Sequence, residues 1–311
     1  MNTMISQHTL ASSITKAASQ QTYYTIRFLV DRERVADAYR AYAYFRWVDD
    51  TLDADLDFTQ HRLAFIERQK FLLEKCYEGE TLPYATAEEN MLIELVRHDH
   101  EKNSGLQAYL RRMMQVMAFD ADRRGQLVSQ IQLKEYTRWL ASAVTEAMHY
   151  FIGHNSSSPH DETRYRAVTG AHITHMLRDT FDDLQAGYYN IPQEVLEAAH
   201  IQPHDTGHPE YRRWVQSRVR LARQCFNAGR HYLDRVEEPR CRMAGLAYMS
   251  RFEWVLDTLE QEDYCLRPAY NERKGIGAGL QMGLHTLSSI MNWGEMESAH
   301  QPVASQPLRK L

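Results

Sequence analysis

The sequence predicts an all-α fold: a single-domain bundle of helices around a central cavity. Proline and glycine, which interrupt helices, account for only nine and 14 of the 311 residues. Apolar residues recur at helical spacing, as at Val35, Ala38, Tyr42 and Phe45, and the alternation typical of strands is rare. Hydrophobic residues make up 43% of the chain, which is enough for a large core. Proline is absent from four long stretches: 84–158, 160–191, 210–238 and 240–267.

Helical segments are predicted along most of the chain, and short polar loops or loops with glycine or proline separate them. No loop is long enough to be a linker between domains. The chain therefore divides into an N-terminal tail at 1–18, one domain at 19–294 and a disordered C-terminal tail at 295–311, which is polar and contains two prolines. The predicted helices cover residues 32–53, 61–77, 87–101, 105–119, 131–153, 160–186, 210–235, 240–262 and 274–292.

Composition restricts the partners and the compartment. The net charge is −5 and no basic stripe is present, so nucleic acid is not an expected partner. The four cysteines have neither metal-binding spacing nor a secreted pattern, which predicts free thiols in the cytoplasm. No apolar run is long enough to span a membrane. The sequence leaves open whether the protein associates peripherally with a membrane, and it leaves the oligomeric state open.

Two acidic segments far apart in the chain have the same internal spacing. Each holds two aspartates four residues apart with an arginine just ahead, and residues i and i+4 share a helix face. Mg²⁺ binds carboxylates and takes further ligands from substrate phosphates, while arginine suits phosphate oxygens. The pattern predicts a site that binds a diphosphate through Mg²⁺, with a solvated face as the alternative for either segment alone. The segments are Arg46, Asp49 and Asp53, and Arg178, Asp179 and Asp183.

The residues around both segments resemble the squalene/phytoene synthases, all-α enzymes that join two prenyl diphosphates head to head. Residues 42–53 are similar to the first aspartate-rich helix of that family, and residues 177–192 are similar to the second. Residues 122–144 resemble its middle segment, and the stretch around Tyr264 resembles a C-terminal helix that helps to close the site. The resemblance covers residues 22–270, which is most of the chain.

This resemblance implies an isoprenoid synthase-like fold and a prenyltransferase that ionises an allylic prenyl diphosphate of C15 or C20 with Mg²⁺, or alternatively Mn²⁺. It implies head-to-head condensation with a second prenyl diphosphate, as in phytoene, squalene or dehydrosqualene synthases. Tyr42 and Tyr136 would face the carbocation, with core packing as the alternative. The implied metal ligands are Asp49, Asp53, Asp179 and Asp183. The residues implied to bind diphosphate are Arg46, Arg178, Thr22 and Tyr264.

The residues of the expected cavity depart from the family pattern. His175 stands where asparagine is usual, four residues before Asp179 and therefore on the same helix face. Asn190 replaces a usual tyrosine, and residues 141–145 lack the usual glycine. His175 could orient Asp179, contact diphosphate or remove a proton from the carbocation, and the sequence leaves these roles open.

Two other functions stay open on the sequence. An enzyme of the same kind could transfer the prenyl group to a non-prenyl acceptor or cyclise it, because the departures alter the cavity lining. A di-iron helical-bundle oxidoreductase is the alternative from another class, because two Glu-x-x-His pairs have the spacing that such bundles use. These pairs are Glu146 with His149 and Glu197 with His200. Prenyl chain length, the product and the use of NADPH are not fixed by the sequence.

Overall fold

Helices account for all regular structure in the computed structural model, which describes residues 2–54, 59–80 and 83–270. The predicted all-α fold is confirmed within these residues, and no helix among them is long and apolar enough to cross a membrane. The predicted helix 274–292 and the tail 295–311 lie outside the described residues, as does the predicted domain end. The α-helices are α1 (Asn2–Ala18), α2 (Gln20–Leu29), α3 (Val35–Ala54, after a 3₁₀ turn at Arg32–Arg34), α4 (Thr59–Tyr77), α5 (Ala87–His98), α6 (Gly105–Arg123), α7 (Gln130–Phe151), α8 (Arg166–Arg178), α9 (Thr180–Ala186), α10 (Gln193–Ala199), α11 (Pro209–Leu233) and α12 (Pro239–Gln261).

Helices α7 and α8 pack against each other and link two groups of helices. Helix α7 packs on α6, which contacts α3 and α4, whereas α8 packs on α11 and α12. The core between them is rich in aromatic residues, and Tyr44, Tyr211 and Phe226 are almost fully enclosed. The two acidic segments therefore belong to different groups, since one lies on α3 and the other at the end of α8.

The N-terminal residues form a packed helix where the sequence predicted a tail. Helix α1 contacts α3, and the side chains of Ala11 and Thr15 are fully buried. Ile14 packs against the core as well, but the fully buried positions carry small side chains, so the periodicity of the segment is weak in the sequence. Ser19 then caps α2, because its hydroxyl accepts a hydrogen bond from the backbone N–H of Thr22 at 3.2 Å.

Local sequence signals explain where several of the helices begin. Ser129 and Gln132 form a capping box at the start of α7, in which each side chain accepts from the other residue's backbone N–H. Helices α11 and α12 begin with proline, whose missing N–H would have no partner in the first turn. The short helix α10 follows Pro192 and was not predicted, because seven residues show no clear periodicity.

Where the sequence predicted one helix at 160–186, the structure has a shorter helical region that is interrupted at the second acidic segment. Helices α8 and α9 meet at Asp179, whose backbone angles are φ −96° and ψ 10°. The buried Thr180 hydroxyl contacts the carbonyl oxygens of Met176 at 2.9 Å and Leu177 at 3.0 Å. A hydroxyl that bonds back to these carbonyls competes with the helix and bends it. Asp179 therefore sits at a bend in the chain.

Helices α8 and α11 pack with almost no space between their backbones. A methyl group added to Gly229 of α11 would lie 2.8 Å from the backbone of Ala167. A methyl group added to Gly170 of α8 would lie 2.9 Å from the ring of Phe226. Glycine is required at these positions because the opposing helix occupies the space of a Cβ atom.

We expect Gly229→Ala to destabilise the protein by about 2 kcal/mol, because overpacking against the α8 backbone outweighs the better helix propensity of alanine. Thermal unfolding followed by circular dichroism measures the change. Gly207→Ala is the matched control, since nothing lies within 4 Å of its added methyl group. An unchanged Tm for Gly229→Ala would show that α8 and α11 can separate.

Candidate active site

The first acidic pair lies on the last turns of α3, partly enclosed and partly exposed to solvent. Arg46, one turn before Asp49, donates from Nε to Asp50 Oδ2 at 3.1 Å, and its Nη1 lies 3.4 Å from Asp49 Oδ2. The side chains of Arg46 and Asp49 are both 43% exposed, and Asp53 is exposed as well. Arg46 therefore pairs with Asp50 and also contacts the first aspartate of the pair.

The second acidic pair starts at the bend between α8 and α9. Asp179 accepts hydrogen bonds from Arg178 Nη2 at 2.6 Å and contacts His175 Nε2 at 2.8 Å. Burial opposes ionisation, but the hydrogen bonds from Arg178 and His175 hold the pKa of Asp179 well below its usual range. One turn later, Asp183 Oδ2 accepts from Asn190 Nδ2 at 2.6 Å. The contact of His175 with Asp179 is the geometry of an orienting residue.

A buried arginine that the sequence analysis did not single out lies between the two acidic pairs. Arg123, at the end of α6 and 6% exposed, donates from Nε to Asp120 Oδ1 at 2.7 Å and from Nη1 to Asn190 Oδ1 at 2.9 Å. Tyr136 Oη donates to the other oxygen of Asp120 at 2.9 Å. Because Asn190 also donates a hydrogen bond to Asp183, the Asn190 side chain connects Arg123 to the second acidic pair.

Tyr188 brings the first acidic pair into the same network. Its hydroxyl donates to Asp53 Oδ1 at 3.2 Å. Its ring centroid lies 5.0 Å from the guanidinium carbon of Arg123, which also lies 4.9 Å from the ring of Tyr136. Such cation–π contacts are attractive, most of all when they are shielded from water. A continuous path of contacts thus joins Asp53, on α3, to Asp183, on α9.

Two carboxylates of the site have a pKa above the usual value for aspartate. Burial, followed by the negative charges of Asp53 and Asp120, raises the pKa of Asp49 to about 7. Burial and the negative charge of Asp179 likewise raise the pKa of Asp183 to about 7. One aspartate of each pair is therefore held in a position where its negative charge is unfavourable without a cation.

A cavity of about 550 Å³ lies beside the acidic pairs. Arg46 and His175 line it, and each contacts an aspartate of one pair. Thr22 and Tyr42, two further predicted site residues, also line it. The rest of the wall is largely apolar or aromatic and includes Leu140, Val144, Met148, Phe151, Tyr248 and Phe252. The site therefore joins a charged region to an apolar chamber.

Seven predicted site residues do not line this cavity: the four aspartates of the acidic pairs, Arg178, Tyr136 and Tyr264. Tyr136 is buried and its hydroxyl binds Asp120, while its ring meets the edge of His172 with centroids 5.0 Å apart. His172 does line the cavity. Tyr264 follows the end of α12 with φ 62°, and its backbone N–H donates to Leu259 O at 2.7 Å.

The Glu-x-x-His pairs are engaged in other contacts. Glu146 is bound by Arg164 at 2.9 Å, His149 Nε2 lies 2.8 Å from the hydroxyl of Tyr232, and His200 ends α10 in the left-handed conformation. Within the part of the chain that the structure describes, no three Asp, Glu, His or Cys side chains are grouped closely enough to hold a metal by themselves. A cation at the acidic pairs would need further ligands from a substrate or from water, and the di-iron alternative gains no support.

The raised pKa of Asp49 predicts how the metal-free protein responds to pH. The folded protein keeps this carboxyl protonated up to about pH 7, whereas the unfolded chain ionises it near 3.8. The free energy of unfolding therefore falls as pH rises between these values. Asp49→Asn should raise it by about 1 kcal/mol at pH 8 in EDTA, a modest gain because water screens a half-exposed group. The gain should vanish near pH 4.

Calorimetry of the two proteins at both pH values measures this effect. Asp182→Asn, at an exposed position on α9, is the matched control and should leave Tm unchanged. A lower Tm for Asp49→Asn at pH 8 would show that the carboxylate stabilises the fold.

Solved structures of similar shape share this arrangement of helices. The squalene synthase HpnC from Alicyclobacillus acidocaldarius matches with a TM-score of 0.66 at 17% identity, over 84% of this chain and 96% of that one. A dehydrosqualene synthase in complex with ligand matches with a TM-score of 0.69 at 17% identity, over 92% and 97%. TcSQS in complex with the ligand BPH1237 matches with a TM-score of 0.67 at 13% identity, over 97% and 94%. At these identities the likeness shows the fold.

The sequence itself identifies the family. No curated protein matches the chain significantly, but the family model for squalene/phytoene synthase matches residues 15–274, which is most of its length. The match spans both acidic pairs and the helices that line the cavity. The chain therefore belongs to the squalene/phytoene synthase family of prenyltransferases.

Proposed function

We propose that this prenyltransferase ionises an allylic prenyl diphosphate of C15 or C20 in a divalent-metal-dependent step and condenses it head to head with a second one. Arg46 and His175 carry the proposal, because each contacts an aspartate of one acidic pair and also lines the largely apolar cavity. A prenyl diphosphate has the matching parts, a highly charged head and a long apolar chain.

The acidic pairs fit Mg²⁺, with Mn²⁺ as the alternative. Asp49 and Asp183 carry charge that is unfavourable without a cation, and oxygen ligands select hard divalent ions. Mg²⁺ commonly binds one or two carboxylates and completes its shell with substrate phosphates and water. When bound, it would stabilise the charge that develops on the diphosphate as the C–O bond breaks. The residues that would hold it are Asp49, Asp53, Asp179 and Asp183.

The remaining residues of the site would position the substrate. Arg46 and Arg178 would donate charge-assisted hydrogen bonds to the diphosphate, because each already lies against an aspartate of one pair. Thr22 offers a hydroxyl on the same cavity wall. The rings of Tyr42 and Phe252 line the chamber, where they would face the carbocation and exclude water from it.

Incubation with C10, C15 and C20 prenyl diphosphates and Mg²⁺ tests this function. We expect diphosphate release together with a head-to-head hydrocarbon in the organic extract, identified by mass spectrometry. EDTA should abolish both, and Mg²⁺ or Mn²⁺ should restore them. Diphosphate release with a cyclic or non-prenyl product would support the alternative enzyme, and metal-independent release would contradict the assigned role of the aspartates.

Asp179→Asn should reduce diphosphate release at least a hundred-fold while the circular dichroism spectrum stays helical. Loss of a metal ligand removes several kcal/mol of transition-state stabilisation, and each 1.36 kcal/mol is about tenfold in rate. Asp182→Asn, three residues away and exposed, should retain activity. Equal rates in the two variants would remove Asp179 from the site.

A further inference from the structure

One histidine in the cavity wall is buried without any hydrogen-bond partner. His172 is 4% exposed, lines the cavity, and neither of its ring nitrogens has a partner in the structure. Burial of an unsatisfied polar group costs stability, and an apolar side chain at this position would avoid that cost. A native protein rarely keeps such a group without a use for it.

The surroundings of His172 favour its neutral form. Burial lowers the pKa of His172 well below 6.5, and the positive charges of His175, Arg123 and Arg218 lower it further. The nearest aromatic ring, that of Tyr136, meets it edge-on. A neutral imidazole keeps one nitrogen lone pair, and this lone pair is not committed to any other group.

We propose that His172 is the base that ends the reaction by taking a proton from the final carbocation in the cavity; this inference rests on the proposed function. Both diphosphates have by then left, each with the electron pair of its C–O bond. A C–H bond next to the cationic carbon breaks, its electron pair forms a carbon–carbon double bond, and the proton binds to the imidazole lone pair. The imidazolium then releases the proton to water or diphosphate. The product is a neutral hydrocarbon, and no reductant is consumed.

The other polar groups of the cavity wall are poorer bases for this step. His175 is half exposed and already contacts Asp179 at 2.8 Å, which keeps it at the charged side of the site. Arg46 and Arg251 are cationic, and hydroxyl groups such as that of Thr22 are weakly basic. The proton-removing role that the sequence left open for His175 therefore fits His172 better.

His172→Gln tests the inference, because glutamine has similar bulk and hydrogen-bonding groups but is not a base. We expect diphosphate release within threefold of the wild type. The ratio of hydrocarbon formed to diphosphate released should fall at least tenfold, consistent with loss of a general base. Alcohols formed when water captures the cation should accumulate instead. An unchanged ratio of hydrocarbon to diphosphate would overturn the inference.

His149→Gln is the matched control, because His149 is a second partly enclosed histidine that is bonded to Tyr232 and does not line the cavity. It should keep the wild-type ratio of hydrocarbon to diphosphate. A wild-type protein that releases no diphosphate from any prenyl diphosphate would overturn the proposed function and this inference with it. If the wild type and His172→Gln both release diphosphate and give the same products, only this inference is overturned.

A measurement on the wild-type protein is independent of how the variants fold. Nitrogen-15 spectra of histidine-labelled protein distinguish neutral from protonated imidazoles among the 15 histidines. At pH 5, at least two should stay neutral, His172 and His149, since burial also lowers the pKa of His149 to about 4. A spectrum with no neutral imidazole at pH 5 would overturn the assignment of His172 as the base.

Discussion

Both acidic pairs depend on one buried cation. The guanidinium of Arg123 is held by Asp120 and Asn190 and lies against the rings of Tyr136 and Tyr188. A buried ion pair is costly to assemble, but removal of one partner is worse, because it leaves an unpaired charge in the interior. The relative position of aspartates on separate helices is therefore set by residues outside either acidic motif.

The charges of the site are arranged unevenly around this centre. Asp179 accepts hydrogen bonds from Arg178 and contacts His175, whereas at Asp49 and Asp183 burial and neighbouring carboxylates outweigh the nearby arginines and raise the pKa. Repulsion of this kind weakens the fold and would favour a bound cation, so at the proposed metal site stability and affinity for a divalent ion would oppose each other at the same side chains. Binding sites commonly retain such unfavourable groups, since their removal would stabilise the protein at the expense of activity.

The acidic pairs could be found from the sequence because their i, i+4 spacing and preceding arginines form a pattern on each helix. The groups that connect them could not be found in this way. Asp120 and Arg123 form a single i, i+3 pair on α6, and Asn190 lies in a loop, so their meeting depends on tertiary packing. The helix prediction failed where small residues replace large apolar ones, as at Ala11, and where the Thr180 hydroxyl bends the backbone.

The close packing of α8 on α11 limits how this cavity could be resized. Gly170 and Gly229 leave no clearance between the two helices, so α8 cannot shift without separating from its neighbour. Because α8 carries His172 and ends at Asp179, it acts as a fixed wall of the chamber. Adaptation to longer or shorter prenyl chains would have to come from side-chain exchanges on the facing walls, at positions such as Val144 and Ala247. Related enzymes with different chain-length preferences could then keep the same reactive geometry.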